Sequence, residues 1–143
     1  MLDLERAEKV KKFINNLTHT KGKWAGSPFE LAKWQWEDII KPLFGTVCEN
    51  GIRQYRTAYI EIPKKNGKSE LAAAVALYLL FADKEPGAEI YSAAVDREQA
   101  SIVFNVAAQM VKQNSTLLKR CRIIESTKRI IVYKTASFYH AVS

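Results

Sequence analysis

The chain has 143 residues, of which 48% are hydrophobic, and it carries a formal net charge of +7. This length predicts one domain of ordinary size with room for a hydrophobic core. The longest apolar run, residues 71–82, is shorter than the roughly 20 residues of a membrane-spanning helix, which argues against a membrane protein. The positive charge favours polyanionic partners such as nucleic acid or nucleotide phosphates, although a solvated basic surface would give the same total.

The cysteines and histidines form no metal-binding pattern. Cys48 and Cys121 are far apart, and His19 and His140 are the only histidines, so no zinc site is predicted. We expect two buried free thiols in a reducing compartment. Residues 1–6 are charged and lack the apolar core of a signal peptide, which predicts a cytoplasmic protein.

Hydrophobic periodicity predicts the elements of the first half of the chain. Apolar residues spaced by three or four predict a helix over 3–17. Residues 18–28 contain two glycines and a proline and are expected to form a loop. A short helix is predicted over 32–41. After a turn at Asn50-Gly51, the Tyr, Thr and Ile residues of 53–62 predict a strand.

The second half alternates between helical and extended patterns. An Ala- and Leu-rich helix is predicted over 69–81, and an apolar strand over 88–95. Asp96 with Gln99 three residues later resembles a capping box, which starts a helix to about 113. Two short runs, 123–125 and 129–133, predict a hairpin. The strand–helix–strand order from residue 53 predicts a βαβ unit with parallel strands.

A polar loop lies where the first of these strands meets a helix, in the sequence Ile62-Pro63-Lys64-Lys65-Asn66-Gly67-Lys68-Ser69. Backbone N–H groups of 65–69 would form a cradle for phosphates, and Gly67 permits close approach. Lys68 would reach the β- and γ-phosphates, and the Ser69 hydroxyl would ligate Mg²⁺. The loop therefore predicts binding of a nucleoside triphosphate, with ATP favoured.

The match to the general phosphate-loop pattern is incomplete, because Ile62 stands where the first glycine is expected. A Gly-Lys-Ser tripeptide alone also arises by chance. The alternative is a lysine-rich surface turn before a helix. The flanking strand and helix favour the phosphate loop.

Three segments resemble the large terminase subunits of tailed bacteriophages. Residues 53–69 resemble that family's variant loop, Pro-Arg-x-x-Gly-Lys-Ser/Thr, which lacks the first glycine. Residues 29–35, Phe-Glu-Leu-Ala-Lys-Trp-Gln, resemble its upstream adenine-side segment. Residues 93–100 resemble its second strand-to-helix junction. The three blocks occur in the correct order, so the resemblance covers about residues 25–143.

This resemblance implies an α/β P-loop NTPase fold, with a central, mostly parallel sheet flanked by helices and an N-terminal helical segment. It implies one partial, truncated ATPase domain over 1–143. Within it, 1–45 would be the N-terminal helical segment with the adenine-side Gln, and 46–143 the P-loop core. The nuclease domain of the family would be absent.

The resemblance also implies roles for individual residues. Lys68 and Lys64 would be catalytic, with Lys64 standing where the family usually has an arginine. A lysine offers a point charge rather than a fork, so a solvent-facing Lys64 is the alternative. Gln35 would recognise adenine unless it is an exposed helix residue, and Trp34 and Trp36 would flank the base or pack in the core. The full set of predicted nucleotide-binding residues is Pro63, Lys64, Lys65, Asn66, Gly67, Lys68, Ser69 and Gln35.

Hydrolysis needs a carboxylate on Mg²⁺ and one that orients water. The family places adjacent acids after a later apolar strand, and no such pair is visible here. Asp83 lies at the end of the loop helix, and Asp96 is better explained as a cap. We therefore expect ATP and Mg²⁺ to bind but hydrolysis to be poor. The candidates for an arginine that acts on a neighbouring subunit are Arg53, Arg56 and Arg97.

The function implied is the motor domain of a DNA-packaging enzyme in the bacterial host cytoplasm, which couples ATP hydrolysis to DNA translocation in the full-length protein. Its partners would be double-stranded DNA, the portal protein, the small terminase subunit and further copies in a homo-oligomeric ring, and no membrane. The alternatives are a helicase-like ATPase, a non-catalytic basic nucleic-acid-binding module, or an inert remnant. Titration with Mg-ATP and with duplex DNA separates them.

Overall fold

A computed structural model describes residues 1–20, 26–63 and 67–143. Helices pack on a four-stranded sheet, which confirms the predicted α/β fold. The helices are α1 (Leu4–Asn15), a π-helical turn (Gln35–Ile40) that continues into α2 (Lys41–Gly45), α3 (Lys68–Phe81), α4 (Arg97–Lys112), α5 (Ser115–Leu118) and a 3-10 turn (Tyr133–Thr135). The strands are β1 (Glu89–Ala93), β2 (Arg122–Ile124), β3 (Arg129–Val132) and β4 (Ser137–Val142).

The strand order of the sheet is β1-β4-β3-β2. β1 and β4 are parallel, with Ile90 opposite Tyr139, whereas β4 pairs with β3 and β3 with β2 in antiparallel directions. The described sheet is therefore mixed rather than mostly parallel. The reason is local: β2, β3 and β4 follow one another through short turns, and such turns can join only antiparallel strands. The predicted hairpin is confirmed as β2 and β3.

Helix α3 lies at the centre of the hydrophobic core. Ala73, Ala74 and Leu77 are fully buried, and α3 contacts α1, α4 and the sheet. The rings of Phe13 and Phe44 meet Tyr78 edge-on, with centroid distances of 5.7 Å and 5.5 Å. A helix that is apolar on every side is stable only when neighbours cover most of its surface, and these contacts supply that cover.

A basic side chain closes the C-terminal end of α3. The Arg120 guanidinium donates a hydrogen bond of 3.2 Å to the Phe81 carbonyl and lies over the Phe81 ring. The last carbonyls of a helix have no partner within the helix and carry partial negative charge. Arg120 therefore satisfies one of them and anchors the helix end to the segment after α5.

The predicted strand over 53–62 is wrong for the described residues. Arg53 forms one isolated bridge with Val47, and residues 54–63 belong to no strand. A strand is stabilised by hydrogen bonds to a neighbour along its length. The Gln54 N–H donates a 2.9 Å hydrogen bond to the Thr46 carbonyl, but residues 55–62 join no strand ladder among the described residues. The side chains of this segment are mostly exposed, Tyr59 to 88%. The βαβ unit that was predicted to begin here is consequently not formed among the described residues.

Two other sets of predictions, on helices and on thiols, have clear outcomes. The helices predicted over 3–17, 69–81 and 96–113 are confirmed as α1, α3 and α4. The prediction of two buried thiols is wrong, because Cys48 is exposed and Cys121 is only half-buried. Within the described ranges, no helix is both long enough and apolar enough to cross a membrane.

Truncation of Leu77 tests the central place of α3. Leu77→Ala leaves a cavity in the core and is expected to lower the free energy of unfolding by about 2–5 kcal/mol in a urea titration. Leu118→Ala makes the same chemical change at a residue that is 43% exposed, and should cost about 0.5 kcal/mol. Equal losses at the two positions would contradict the central role of α3.

Candidate nucleotide-binding site

The N-terminus of α3 has several features that favour an anion. Gly67 precedes the helix with φ +75°, a left-handed conformation that costs a residue with a side chain about 1–2 kcal/mol. No described side chain caps the helix, so the first-turn N–H groups, which have no partner within a helix, are left for a ligand. They add their partial positive charge to the exposed Lys68 ammonium. The half-buried Ser69 follows it.

Gln35 lies beside this helix start although it is distant in sequence. The side chain is 6% exposed, and its Oε1 accepts a 2.9 Å hydrogen bond from the Ala32 N–H. A Cβ on Gly67 would lie 3.8 Å from Gln35 Nε2. Gln35 is the first residue of the π-helical turn, a wider helical turn that is frequent at functional sites. The structure thus places Gln35 beside Gly67 at the start of α3, as a buried residue rather than an exposed one.

The two neighbouring tryptophans have different environments. Trp36 is 8% exposed and belongs to the core, with the Lys11 ammonium 4.8 Å from its ring centroid. Trp34 is 39% exposed. Core packing therefore accounts for Trp36, and only Trp34 keeps an open ring that a base could stack on.

Three residues of the predicted loop, Lys64, Lys65 and Asn66, lie outside the described residues. Their roles therefore stay predictions. Pro63 is described and exposed at the end of the extended segment. Of the predicted nucleotide-binding residues, the structure therefore describes Pro63, Gly67, Lys68, Ser69 and Gln35.

A hydrogen-bonded pair without any sign in the sequence lies beside the site. His19 Nδ1 lies 2.9 Å from Glu70 Oε2 in the first turn of α3, and the His19 ring packs on Phe29 at a centroid distance of 5.0 Å. A carboxylate in the first turn of a helix is stabilised by the helix dipole. The pair ties the segment around Thr18, which bridges to Pro28, to the start of the helix. No local pattern reveals it, because the partners are far apart in sequence.

The two acidic residues considered for Mg²⁺ serve other purposes. Asp96 Oδ1 accepts a 2.9 Å hydrogen bond from the Gln99 N–H, which confirms the predicted cap of α4. Asp83 follows the far end of the 14-residue α3, roughly 20 Å from Ser69 at about 1.5 Å per residue. Burial raises the pKa of Asp83, and Arg53 Nη1 lies 3.5 Å from its carboxylate. Among the residues described, no three His, Cys, Asp or Glu side chains are grouped to hold a metal ion.

The candidate arginines also differ in environment. Arg53 is engaged with Asp83 and lies over the Phe44 ring at 5.4 Å from its centroid. Arg56 is exposed on the extended segment, and Arg97 is exposed at the first position of α4. The described contacts therefore give Arg53 a structural role and leave the other two open to a partner.

Removal of the α4 cap tests the assignment of Asp96. Asp96→Ala loses the hydrogen bond to Gln99 and should lower the free energy of unfolding by about 1 kcal/mol. Glu98→Ala removes an exposed acid from the same turn and should cost only a few tenths of a kcal/mol. Neither change should alter the affinity for Mg-ATP in a titration. A weaker Mg²⁺-dependent affinity with unchanged stability would show that Asp96 acts on the metal instead.

Comparison with known proteins identifies the family. The sequence model of one protein family, the terminase large subunit ATPase domain, matches residues 34–143. The large terminase subunit of Enterobacteria phage HK97 is 32% identical over 142 residues, which is 98% of this chain and 27% of that protein. The crystal structure of the HK97 large terminase matches with a TM-score of 0.79 and 32% sequence identity. The structural alignment covers 100% of this chain and 28% of the HK97 chain.

This chain therefore spans little more than a quarter of the length of the relative that it matches. The chain belongs to the terminase large subunit family, to the ATPase domain of that family.

Proposed function

We propose that this chain is the ATP-binding part of a DNA-packaging motor, which in a full-length large terminase couples ATP hydrolysis to the translocation of double-stranded DNA. The observation that carries the proposal is the uncapped start of α3, with Gly67 left-handed and Gln35 beside it, in a chain of this family. The excess of positive charge agrees with a polyanionic ligand.

The residues at the site fit Mg-ATP. The first-turn N–H groups of α3 and the Lys68 ammonium would bind the β- and γ-phosphates, together with Lys64 and the backbone of residues 63–67. The Ser69 hydroxyl would be the protein ligand of Mg²⁺, which neutralises phosphate charge when bound. The Gln35 side chain would recognise adenine, since its Oε1 keeps a second lone pair beside the bond from Ala32.

Partners of the whole motor follow from the same proposal. Double-stranded DNA, a portal protein, a small terminase subunit and further copies in a ring would act with the full-length protein in the bacterial host cytoplasm. Arg56 and Arg97, which are exposed, remain the better candidates for an arginine offered to a neighbouring subunit.

Nucleotide titration of a Lys68 variant tests the proposal. Mg-ATP should bind to the unaltered chain, and Lys68→Ala should weaken binding by roughly tenfold or more, because it removes a charged hydrogen-bond donor to phosphate. Lys134→Ala, which removes an exposed lysine from the 3-10 turn, is the matched control and should leave the affinity unchanged. The readout is calorimetry or the fluorescence of a labelled ATP.

One result would overturn the assignment. If the chain binds duplex DNA but not Mg-ATP at millimolar concentration, it is a basic nucleic-acid-binding module. The net charge of +7 is the observation that favours this alternative. Binding of neither ligand would indicate an inert remnant.

Turnover is expected to be slow. Asp83 pairs with Arg53, Asp96 caps α4 and Glu70 pairs with His19, so none of these three carboxylates is free to act beside Ser69. A steady-state phosphate-release assay should therefore show little hydrolysis by this chain at saturating Mg-ATP. Robust hydrolysis that disappears in Lys68→Ala would show that a carboxylate was overlooked.

A further inference from the structure

The backbone of His19 is bonded on both sides to a neighbouring segment. Its N–H donates a hydrogen bond to the Ser27 carbonyl at 2.9 Å, and its carbonyl accepts one from the Gly26 N–H at 2.8 Å. The Phe29 N–H donates to the Leu17 carbonyl at 2.7 Å in the same antiparallel pairing. The side chains of Leu17 and Phe29 are buried in the core. The residue that carries the imidazole is therefore anchored before any ligand arrives.

The His19 imidazole meets a carboxylate in the first turn of α3. Its Nδ1 donates a 2.9 Å hydrogen bond to Glu70 Oε2, because an ionised carboxylate can only accept. The side chains of His19 and Glu70 are 27% and 19% exposed, so water competes little for this bond. The Phe29 ring packs against the imidazole. These contacts give the Glu70 side chain a defined direction.

Glu70 occupies the position from which a helix commonly caps its own start. Helix α3 begins at Lys68 after Gly67, which makes Glu70 its third residue. In a capping box, a Glu at this position turns back and accepts a hydrogen bond from the backbone N–H of the residue before the helix. Among the described residues, Glu70 bonds to His19 instead, and no side chain caps the helix at Gly67.

A Glu70 carboxylate turned back toward Gly67 would oppose a bound phosphate. The N–H groups at a helix start that lack a partner within the helix are few, and a carboxylate that accepts one of them removes a donor from the phosphate oxygens. Hydrogen bonds to a charged acceptor are strong, so this internal anion would compete effectively. Its charge would also repel the phosphate at short range. The direction of the Glu70 side chain therefore affects the affinity for phosphate.

We propose that His19 is a positioning residue for the nucleotide. It holds the Glu70 carboxylate away from Gly67 and so leaves the backbone N–H groups at the start of α3 open to phosphate. The inference rests on the proposed binding of a triphosphate at this helix start. His19 acts through Glu70 and touches no part of the ligand.

Amide hydrogen exchange in the absence of nucleotide tests the direction of Glu70. In His19→Ala the released carboxylate should accept a hydrogen bond from the Gly67 N–H, so that this amide exchanges about fivefold more slowly by NMR. In the double variant His19→Ala, Glu70→Ala, the Gly67 amide should exchange as fast as in the unaltered chain. Because no ligand is present, the result does not depend on whether the chain binds ATP.

Titration with ligand measures the consequence for affinity. His19→Ala should weaken binding of Mg-ATP by roughly tenfold, because the Glu70 carboxylate then contests the first-turn donors. Inorganic tripolyphosphate with Mg²⁺ should show the same loss, since the effect lies at the phosphates. Glu70→Ala should bind both ligands about twofold to fivefold more tightly, because it removes a negative charge from the helix start. The double variant should bind as Glu70→Ala does.

Two further variants separate positioning from a general effect on the fold. His19→Asn keeps an N–H donor near the place of Nδ1 and should restore most of the affinity that His19→Ala loses. His140→Ala removes the other histidine and should leave the affinity unchanged. His140 lies next to Tyr139 on β4, and because Tyr139 stacks on Phe104 of α4, His140 points to the opposite face of the sheet. Urea titration of each variant shows whether it is folded.

Three results would refute the proposal. The first is unchanged affinity in His19→Ala. The second is a loss that persists in the double variant, which would give His19 a purely structural role. The third is a loss seen with Mg-ATP but not with tripolyphosphate, which would place the effect at the base. If the unaltered chain binds neither ligand, the proposed function fails, whereas exchange at Gly67 still decides whether His19 directs Glu70.

Discussion

The need to bury α3 organises this chain. From Leu71 to Phe81 the helix is apolar on every side, so it must be surrounded rather than laid on a surface. Helix α1, the segment of the π-helical turn and α2, helix α4 and the sheet each cover part of it. Arg120 closes its C-terminal end. The side that stays open, at Ala72, Val75 and Leu79, lines an apolar groove of about 500 Å³ together with Ile60, Ile62 and residues 90–93 of β1.

The same burial fixes the N-terminus of α3 in space, and the predicted phosphate-binding groups lie at that end. Fixed N–H dipoles at a helix start attract anions because they need no reorientation when the ligand arrives. The Glu70 carboxylate adds negative charge to this first turn, and its pairing with His19 places a basic group beside that charge. The first turn thus carries a carboxylate of its own, paired with His19, and the exposed Lys68 is the cation that a bound phosphate would meet.

Features that depend on residues close together in the sequence were predicted, and features that depend on distant segments were mostly not. The cap at Asp96 and the helices α1, α3 and α4 rest on contacts within a few residues, and they were found. The strand predicted over 53–62 needs a neighbour from elsewhere in the chain, which propensity does not reveal. β4 was missed although Ser137, Tyr139 and Ala141 alternate as buried residues, because its pattern is short and polar residues interrupt it. The approach of Gln35 to Gly67 was inferable only through family resemblance, and the pair of His19 with Glu70 had no signal at all.

The extended segment lies between the apolar groove and the predicted phosphate loop. Ile60 and Ile62 line the groove, and the segment runs directly into Pro63, where the predicted loop begins. Fixing the backbone of one residue costs about 1–2 kcal/mol of conformational free energy. A phosphate that orders this backbone when it binds at the start of α3 loses that free energy from its affinity. Contacts that hold Ile60 and Ile62 in place before binding would therefore strengthen binding at the predicted site.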